Sequence, residues 1–378
     1  MGVAPKLSVN LELNRVEVAE RFGIQRHPRW GATAHLQATD HPADLDWFTR
    51  CGHQSQPIAS SAIRLGERRH VQSDLELGWR EHHSTFGGGA VRPGVGGLAR
   101  WLGRVTTNGA AMRPRSLAVD VAGEGEALVL IPGGITGWLS WIPHQERLSN
   151  RYRTIRVQPI HNELGSAGMK GDPSYTREVA VESLLLTINH LEIDRAHFAG
   201  WSAGGKGLLD FAMAHPDRLN SMTLVEPAAD WILEVVGESD REHQEATDFL
   251  YSLAGQDVTE DQLARVLYIA GFVSDPNRAR SDPYWERAWP HHMTLSWLSE
   301  NLMGSDHSLA DLAAVMCPVL LTKGTETGKV ERRVVDLLAL HLPNARVIEL
   351  EGSHAHHIES IDRFLEALEN HIQASLAT

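Results

Sequence analysis

The sequence predicts an α/β protein: a mostly parallel sheet with helices on both faces, a helical insertion, and a poorly patterned N-terminal extension. Three observations predict it. Beyond residue 112, short apolar runs alternate with segments of helical periodicity, as successive strand–helix–strand units require. Residues 127–132 (ALVLIP) form an unbroken apolar run of strand length, which suits a parallel strand buried on both faces. Between residues 228 and 315 the alternation stops, and the composition turns helical and rich in tryptophan.

Residues 1–112 are the extension. They carry 13 basic and 10 acidic side chains, against 22 and 38 in the remainder. Only residues 11–22 (LELNRVEVAERF) suit an amphipathic helix, and glycines at 87–89, 94, 96 and 97 make a flexible stretch. The seven histidines of this region match no zinc spacing. The composition reads as a loosely structured leader, with Met112 as a candidate true start.

The core then unfolds in order. Residues 116–121 alternate as a strand, and 123–126 turn the chain into the apolar strand 127–132. A helix is expected over 138–149 and a strand over 153–159. Val179, Val181, Leu184, Leu185, Ile188 and Leu191 give 175–191 near-helical spacing. A strand at 196–201, a helix at 203–215 stopped by Pro216, and a strand at 221–226 follow. The insertion 228–315, with Trp231, Trp285, Trp289 and Trp297, has the size of a lid rather than a loop. Strand 318–322, helix 331–341, strand 345–350 and helix 359–374 complete a core of residues 113–227 and 316–378.

Composition excludes several classes. The 378 residues are 42% hydrophobic and 22% charged, ordinary for a globular chain and unlike a disordered or fibrous one. A net charge of -13 repels phosphate backbones, so nucleic acid is not an expected partner. No run of about 18 apolar residues predicts a membrane span. The first 20 residues lack the layout of a signal peptide. With only Cys51 and Cys317, far apart, the chain reads as cytoplasmic and without a disulfide framework. Its oligomeric state is not legible.

Chemistry concentrates at Gly200-Trp201-Ser202-Ala203-Gly204, between a predicted strand and a predicted helix. G-x-S-x-G in that setting is a nucleophile elbow: the tight turn leaves no room for a side chain two residues before or after the serine. The helix N-terminus then offers the Ala203 amide to a developing oxyanion. A second donor is expected from the loop after strand 127–132, at Gly134 or Ile135 in Pro132-Gly133-Gly134-Ile135. The same Gly-Gly also suits a plain tight turn.

The serine needs a base, and His354 in Glu351-Gly352-Ser353-His354 leaves the last strand where it can reach over the sheet edge. His356 is the second choice; a three-histidine metal site lacks a fourth ligand, and no metal is expected. The carboxylate partner is expected at Glu226, which ends an apolar strand and is costly there without a partner. Glu326, after strand 318–322, is the alternative acid, and a purely structural buried ion pair is the bland reading of Glu226. The insertion's tryptophans read as core first, and as an apolar lid second.

Residues 113–378 resemble the α/β-hydrolase family through PGGITGW (132–138), GWSAGG (200–205), HPDRLNSMTLVEP (215–227) and EGSHAHHIESIDRFLEALENHI (351–372). The order Ser, acid, His is the family order. The resemblance implies an eight-stranded sheet with a cap after the sixth strand. Two departures stand out: Gly133-Gly134 replaces the usual His-Gly, and Thr327 stands about where the acid of the seventh strand belongs. Fungal zearalenone lactone hydrolases are similar in carrying a Glu about 24 residues after the nucleophile, the spacing of Ser202 and Glu226.

That resemblance implies a cofactor-free serine hydrolase of a small, largely apolar ester or lactone, working through an acyl-enzyme on Ser202. Carbon–carbon bond hydrolysis, acyl transfer and slow-turnover ligand reception fit the same residues. Deleting residues 1–111 is expected to leave a soluble, active enzyme.

Overall fold

The computed structural model describes residues 111–376, and the expectations for residues 1–110 lie outside the described residues. The sheet strands are β1 (Ala118–Ala122), β2 (Ala127–Ile131), β3 (Arg153–Gln158), β4 (Ala196–Trp201), β5 (Leu219–Val225), β6 (Val319–Gly324) and β7 (Ala345–Leu350). Their spatial order is β1-β3-β2-β4-β5-β6-β7. Among the described residues only β1 runs antiparallel, pairing with β3; every other neighbour is parallel. Among the described residues the sheet therefore has seven strands, not the eight that the resemblance implied. Among the described residues the antiparallel edge consists of β1 alone, so the insertion follows the fifth of seven strands there rather than the sixth of eight.

Each face of the sheet is covered. In β2, Val129 and Ile131 join one apolar cluster with the helices Arg177–His190 and Ala203–Ala214. Leu128 and Leu130 join the other, with the helix Ile361–Leu376 and side chains of the insertion. This is the two-fold alternation of strand side chains, buried on both sides. Each fully buried Leu or Val of β2 contributes about 1.5–3 kcal/mol relative to exposure. The edge strand β7 is half-exposed and carries Arg346 and Glu349, which discourage pairing with another chain.

The insertion departs from a plain helical expectation. It mixes short α-helices, among them Arg241–Ser252 and Glu260–Ile269, with 3-10 segments at Pro276–Ser281 and Trp289–Trp297. Pro276, Pro283 and Pro290 break longer helices there. Trp231 and Trp297 are buried, as core tryptophans should be, and the Trp297 indole N–H donates to the Met169 carbonyl at 2.9 Å. One helix escaped the periodicity: Ile160–Ser166, seven residues opened by Pro159.

Candidate active site

β4 delivers Ser202 to the carboxyl edge of the sheet. Its φ of 53° and ψ of -122° lie where non-glycine residues are strained. The strain is held by neighbours on both sides. The Ser202 N–H donates to Val225 O at 2.9 Å, and its carbonyl accepts from Lys206 N–H and Ala228 N–H at 3.0 Å each. The glycines are required by space. A Cβ on Gly200 would sit 2.8 Å from Gly204 O, and one on Gly204 would collide with the Pro132 carbonyl. The result is a partly exposed serine between a buried Trp201 and a buried Gly204. The helix Ala203–Ala214 begins directly after it, with its first amides free of helical partners.

Glu226 follows β5 with a φ of 37°, a second strained residue at the same sheet edge. The residue is 1% exposed, and every hydrogen bond its side chain makes serves to fix it. Oε2 accepts from His354 Nδ1–H at 2.6 Å. Oε1 accepts from the Gly324 N–H at 2.7 Å and from Thr327 Oγ1–H at 2.6 Å. Thr327, standing where the resemblance led one to expect an acid, thus holds the Glu226 carboxylate. Glu326 is exposed, and its backbone N–H donates to Gly352 O at 2.9 Å. The structure pairs His354 with Glu226 and leaves Glu326 in solvent.

The electrostatics of the pair follow. Burial opposes ionisation of Glu226, but the hydrogen bond and charge of His354, with His356 and Thr327, outweigh it and hold the carboxyl below its ordinary value. Burial likewise opposes protonation of His354. The Glu226 bond and charge, helped by Glu331 and Asp230, hold the imidazole above its ordinary value. Because a carboxylate only accepts, Nδ1 carries the proton and Nε2 is the basic nitrogen. That Nε2 is buried and makes no hydrogen bond among the described residues. The loop bearing His354 is anchored to the elbow itself: the Trp201 indole N–H donates to His354 O at 3.0 Å. Phe272 of the insertion meets the imidazole edge to face at 5.2 Å and stacks on Tyr284 at 4.3 Å.

Gly134 lies beside the elbow. A Cβ placed on it would be 3.4 Å from Ala203 Cβ and 3.0 Å from Leu298 Cδ1 of the insertion. The two residues expected to offer amides, Gly134 and Ala203, are therefore neighbours, and Ile135 follows, buried, in the same loop. Gly133 is pressed against the Trp201 ring, 3.0 Å from a notional Cβ.

His356 and His357 take other roles. His356 opens the helix His356–Glu359, donates from Nδ1 to Ser353 O at 3.1 Å, and accepts Thr322 Oγ1–H at Nε2 at 2.7 Å. Burial keeps it and His357 below their ordinary values. Among the described residues no cluster of three or more His, Cys, Asp or Glu is placed to hold a metal ion.

Neutral buried histidines set the acid limit of the fold. Burial lowers His144 to about 3 and His161, His197 and His371 to about 4. In the unfolded chain each binds a proton below about pH 6.5. Their stabilisation is complete above that pH and is lost as pH falls toward 4, by about 1.4 kcal/mol per histidine per pH unit. His356 and His357, also held down by burial, act in the same sense, while the raised His354, Glu331 and Asp230 act in the opposite sense, three groups against six. At pH 5.5 the first four together cost about 5 kcal/mol, a large part of a normal fold's stability. Denaturant unfolding measured from pH 7.5 to 5 is expected to show a steep loss below 6.5. A flat profile would contradict this account.

The comparisons with known proteins agree with this fold. The alpha/beta hydrolase fold family model matches residues 126–360. The chain belongs to that family. It is 26% identical to a pimeloyl-(acyl-carrier protein) methyl ester esterase of Aeromonas hydrophila, over 68% of this chain and 99% of the esterase. It is 29% identical to a 2-hydroxy-6-oxo-6-phenylhexa-2,4-dienoate hydrolase of Burkholderia cepacia, but over only 32% of this chain and 44% of that enzyme. Among solved structures, the BpoC protein of Mycobacterium tuberculosis superposes with a TM-score of 0.54 at 18% identity, covering 71% of this chain and 99% of that one. That likeness shows the fold alone. Among the described residues no helix is long and apolar enough to cross a membrane.

Proposed function

We propose that this chain is a serine hydrolase cleaving a carboxylic ester or lactone of a small, largely apolar substrate through an acyl-enzyme on Ser202. The observation that carries the reading is the buried Glu226–His354 pair, whose free Nε2 is the base a strained, partly exposed elbow serine needs. In this mechanism His354 Nε2 takes the Ser202 Oγ proton as Oγ attacks the substrate carbonyl. The Ala203 amide and an amide of Gly134 or Ile135 receive the oxyanion. His354 returns the proton to the leaving alcohol, then draws a proton from water as it attacks the acyl carbon, and passes that proton to Ser202 Oγ as the acyl–Oγ bond breaks and the acid is released. Glu226 fixes the imidazole tautomer and stabilises the imidazolium. The chemistry uses side chains and amides of the protein and calls on no cofactor.

The acid after β5, in the manner of the zearalenone lactone hydrolases, and the apolar insertion residues Phe272, Tyr284 and Leu298 beside the site support a lactone or ester with an apolar body. Residues 228–315 act as the cap over the core in this reading, and the protein works in the cytoplasm on a small molecule, with no nucleic acid or membrane partner. The local similarity to a hydrolase of a dienoate favours carbon–carbon bond hydrolysis as the second reading. A substrate panel separates them: p-nitrophenyl esters of two to eight carbons, medium and macrocyclic lactones, and a vinylogous 1,5-diketone acid. Turnover of esters and lactones is expected to dominate. Turnover of the diketone alone would move the reading to the second class, and tight binding without turnover would make the protein a receptor.

A further inference from the structure

We propose that Asn162 is a positioning residue for the oxyanion site, acting through the Gly133–Gly134 peptide. Asn162 lies on the short helix Ile160–Ser166 and is fully buried. Its Nδ2–H donates to the Gly133 carbonyl at 3.3 Å. That carbonyl and the Gly134 N–H belong to one peptide unit, and among the described residues no peptide bond is cis. In a trans unit the C=O and N–H point in opposite directions. A donor that fixes the Gly133 oxygen therefore fixes the plane of the unit and aims the Gly134 N–H away from Asn162. It also polarises the amide, which strengthens the donor on the far side. Of the two amides considered for the oxyanion, this one is Gly134.

Three further facts favour a role over packing. The Asn162 Oδ1 is buried and has no hydrogen-bond partner among the described residues. A buried acceptor left unpaired is destabilising, so an apolar side chain of the same shape would fit this place at lower cost. Turning the amide over does not relieve it, because two oxygens would then face each other. Finally, the helix is held firmly enough to transmit position: Gly165 abuts the Thr294 backbone so closely that a Cβ there would collide with it. On the other side of the loop, Gly133 rests on Trp201 and Gly134 faces Ala203. Two glycines leave the loop free to turn, and Asn162 is the side chain that selects one orientation.

The inference rests on the serine-hydrolase reading, and the test separates the two. Wild type, Asn162→Leu and Asn162→Ala are compared on the best ester of the panel, with melting temperatures as a fold control. Each variant is expected to lose about 10- to 100-fold in kcat, less than removal of an oxyanion donor itself, with KM within about threefold. A trifluoromethyl ketone, which forms a tetrahedral oxyanion, is expected to bind more weakly by the same factor as the loss in kcat/KM. A non-reactive ketone of the same shape should keep its affinity. Should the leucine variant fail to fold, the alanine variant carries the same comparison. Unchanged kcat, or a loss in kcat that leaves trifluoromethyl ketone affinity intact, would overturn the role of Asn162. An inactive wild type would overturn the hydrolase reading instead.

Discussion

Ser202→Ala is expected to lower kcat on the best ester by about 10⁵- to 10⁶-fold, the loss typical when a triad nucleophile is removed. The fold should survive, because the hydroxyl is not what holds the turn. The strained backbone at Ser202 is held by main-chain bonds to Val225, Lys206 and Ala228, all of which alanine keeps. Residual catalysis from the oxyanion amides and binding should remain above the reaction in water. Steady-state kinetics with circular dichroism as a control checks this. Ester turnover by Ser202→Ala within tenfold of wild type would exclude the serine as nucleophile.

Glu226→Gln is expected to cost about 10³- to 10⁴-fold in kcat, and Glu326→Gln less than about twofold. The difference follows from placement. Glu226 is buried and bonded to the His354 Nδ1, whereas Glu326 is exposed. The substitution also has a pH signature. Glu226 raises the His354 value against the opposing effect of burial, and the base must be neutral to act. In wild type the acid limb of kcat/KM therefore lies above pH 6.5, the ordinary histidine value. Removing the carboxylate charge lets burial dominate, so the limb of Glu226→Gln moves to lower pH. A larger loss in Glu326→Gln, or an acid limb that moves upward in Glu226→Gln, would contradict the assignment.

Much of this site was legible in the sequence because its parts sit at element boundaries. Ser202 follows a strand and precedes a helix, and glycines flank it at fixed offsets. Glu226 stood out as a charge ending an apolar run, a position that needs a partner, and the structure supplies His354 at 2.6 Å. His354 stands just after the Gly-Ser turn that leaves the last strand, whereas His356 opens a short helix. The strand and helix ranges agree to within a few residues, since parallel strands announce themselves as apolar runs.

What was not legible depends on packing across distant segments. Thr327 reads from the sequence as a missing acid; only the fold shows its hydroxyl donating to Glu226, 101 residues earlier. Trp201 fills a variable place in the elbow motif, and its bond to the His354 carbonyl spans 153 residues. Asn162 sits in a helix too short to show a period. The insertion looked helical by composition, but prolines divide it into short turns, and Phe272 gave no signal of its contact with His354. The strand count depended on the resemblance alone, and the antiparallel edge has one strand among the described residues.

The central claim is that Ser202 is activated for attack, and the most direct test is chemical. The folded protein is incubated with a fluorophosphonate, digested, and the adduct located by mass spectrometry. The account predicts stoichiometric phosphonylation of Ser202 and none of Ser202→Ala. A folded wild type that stays unlabelled, or that carries the adduct on another residue, would contradict it.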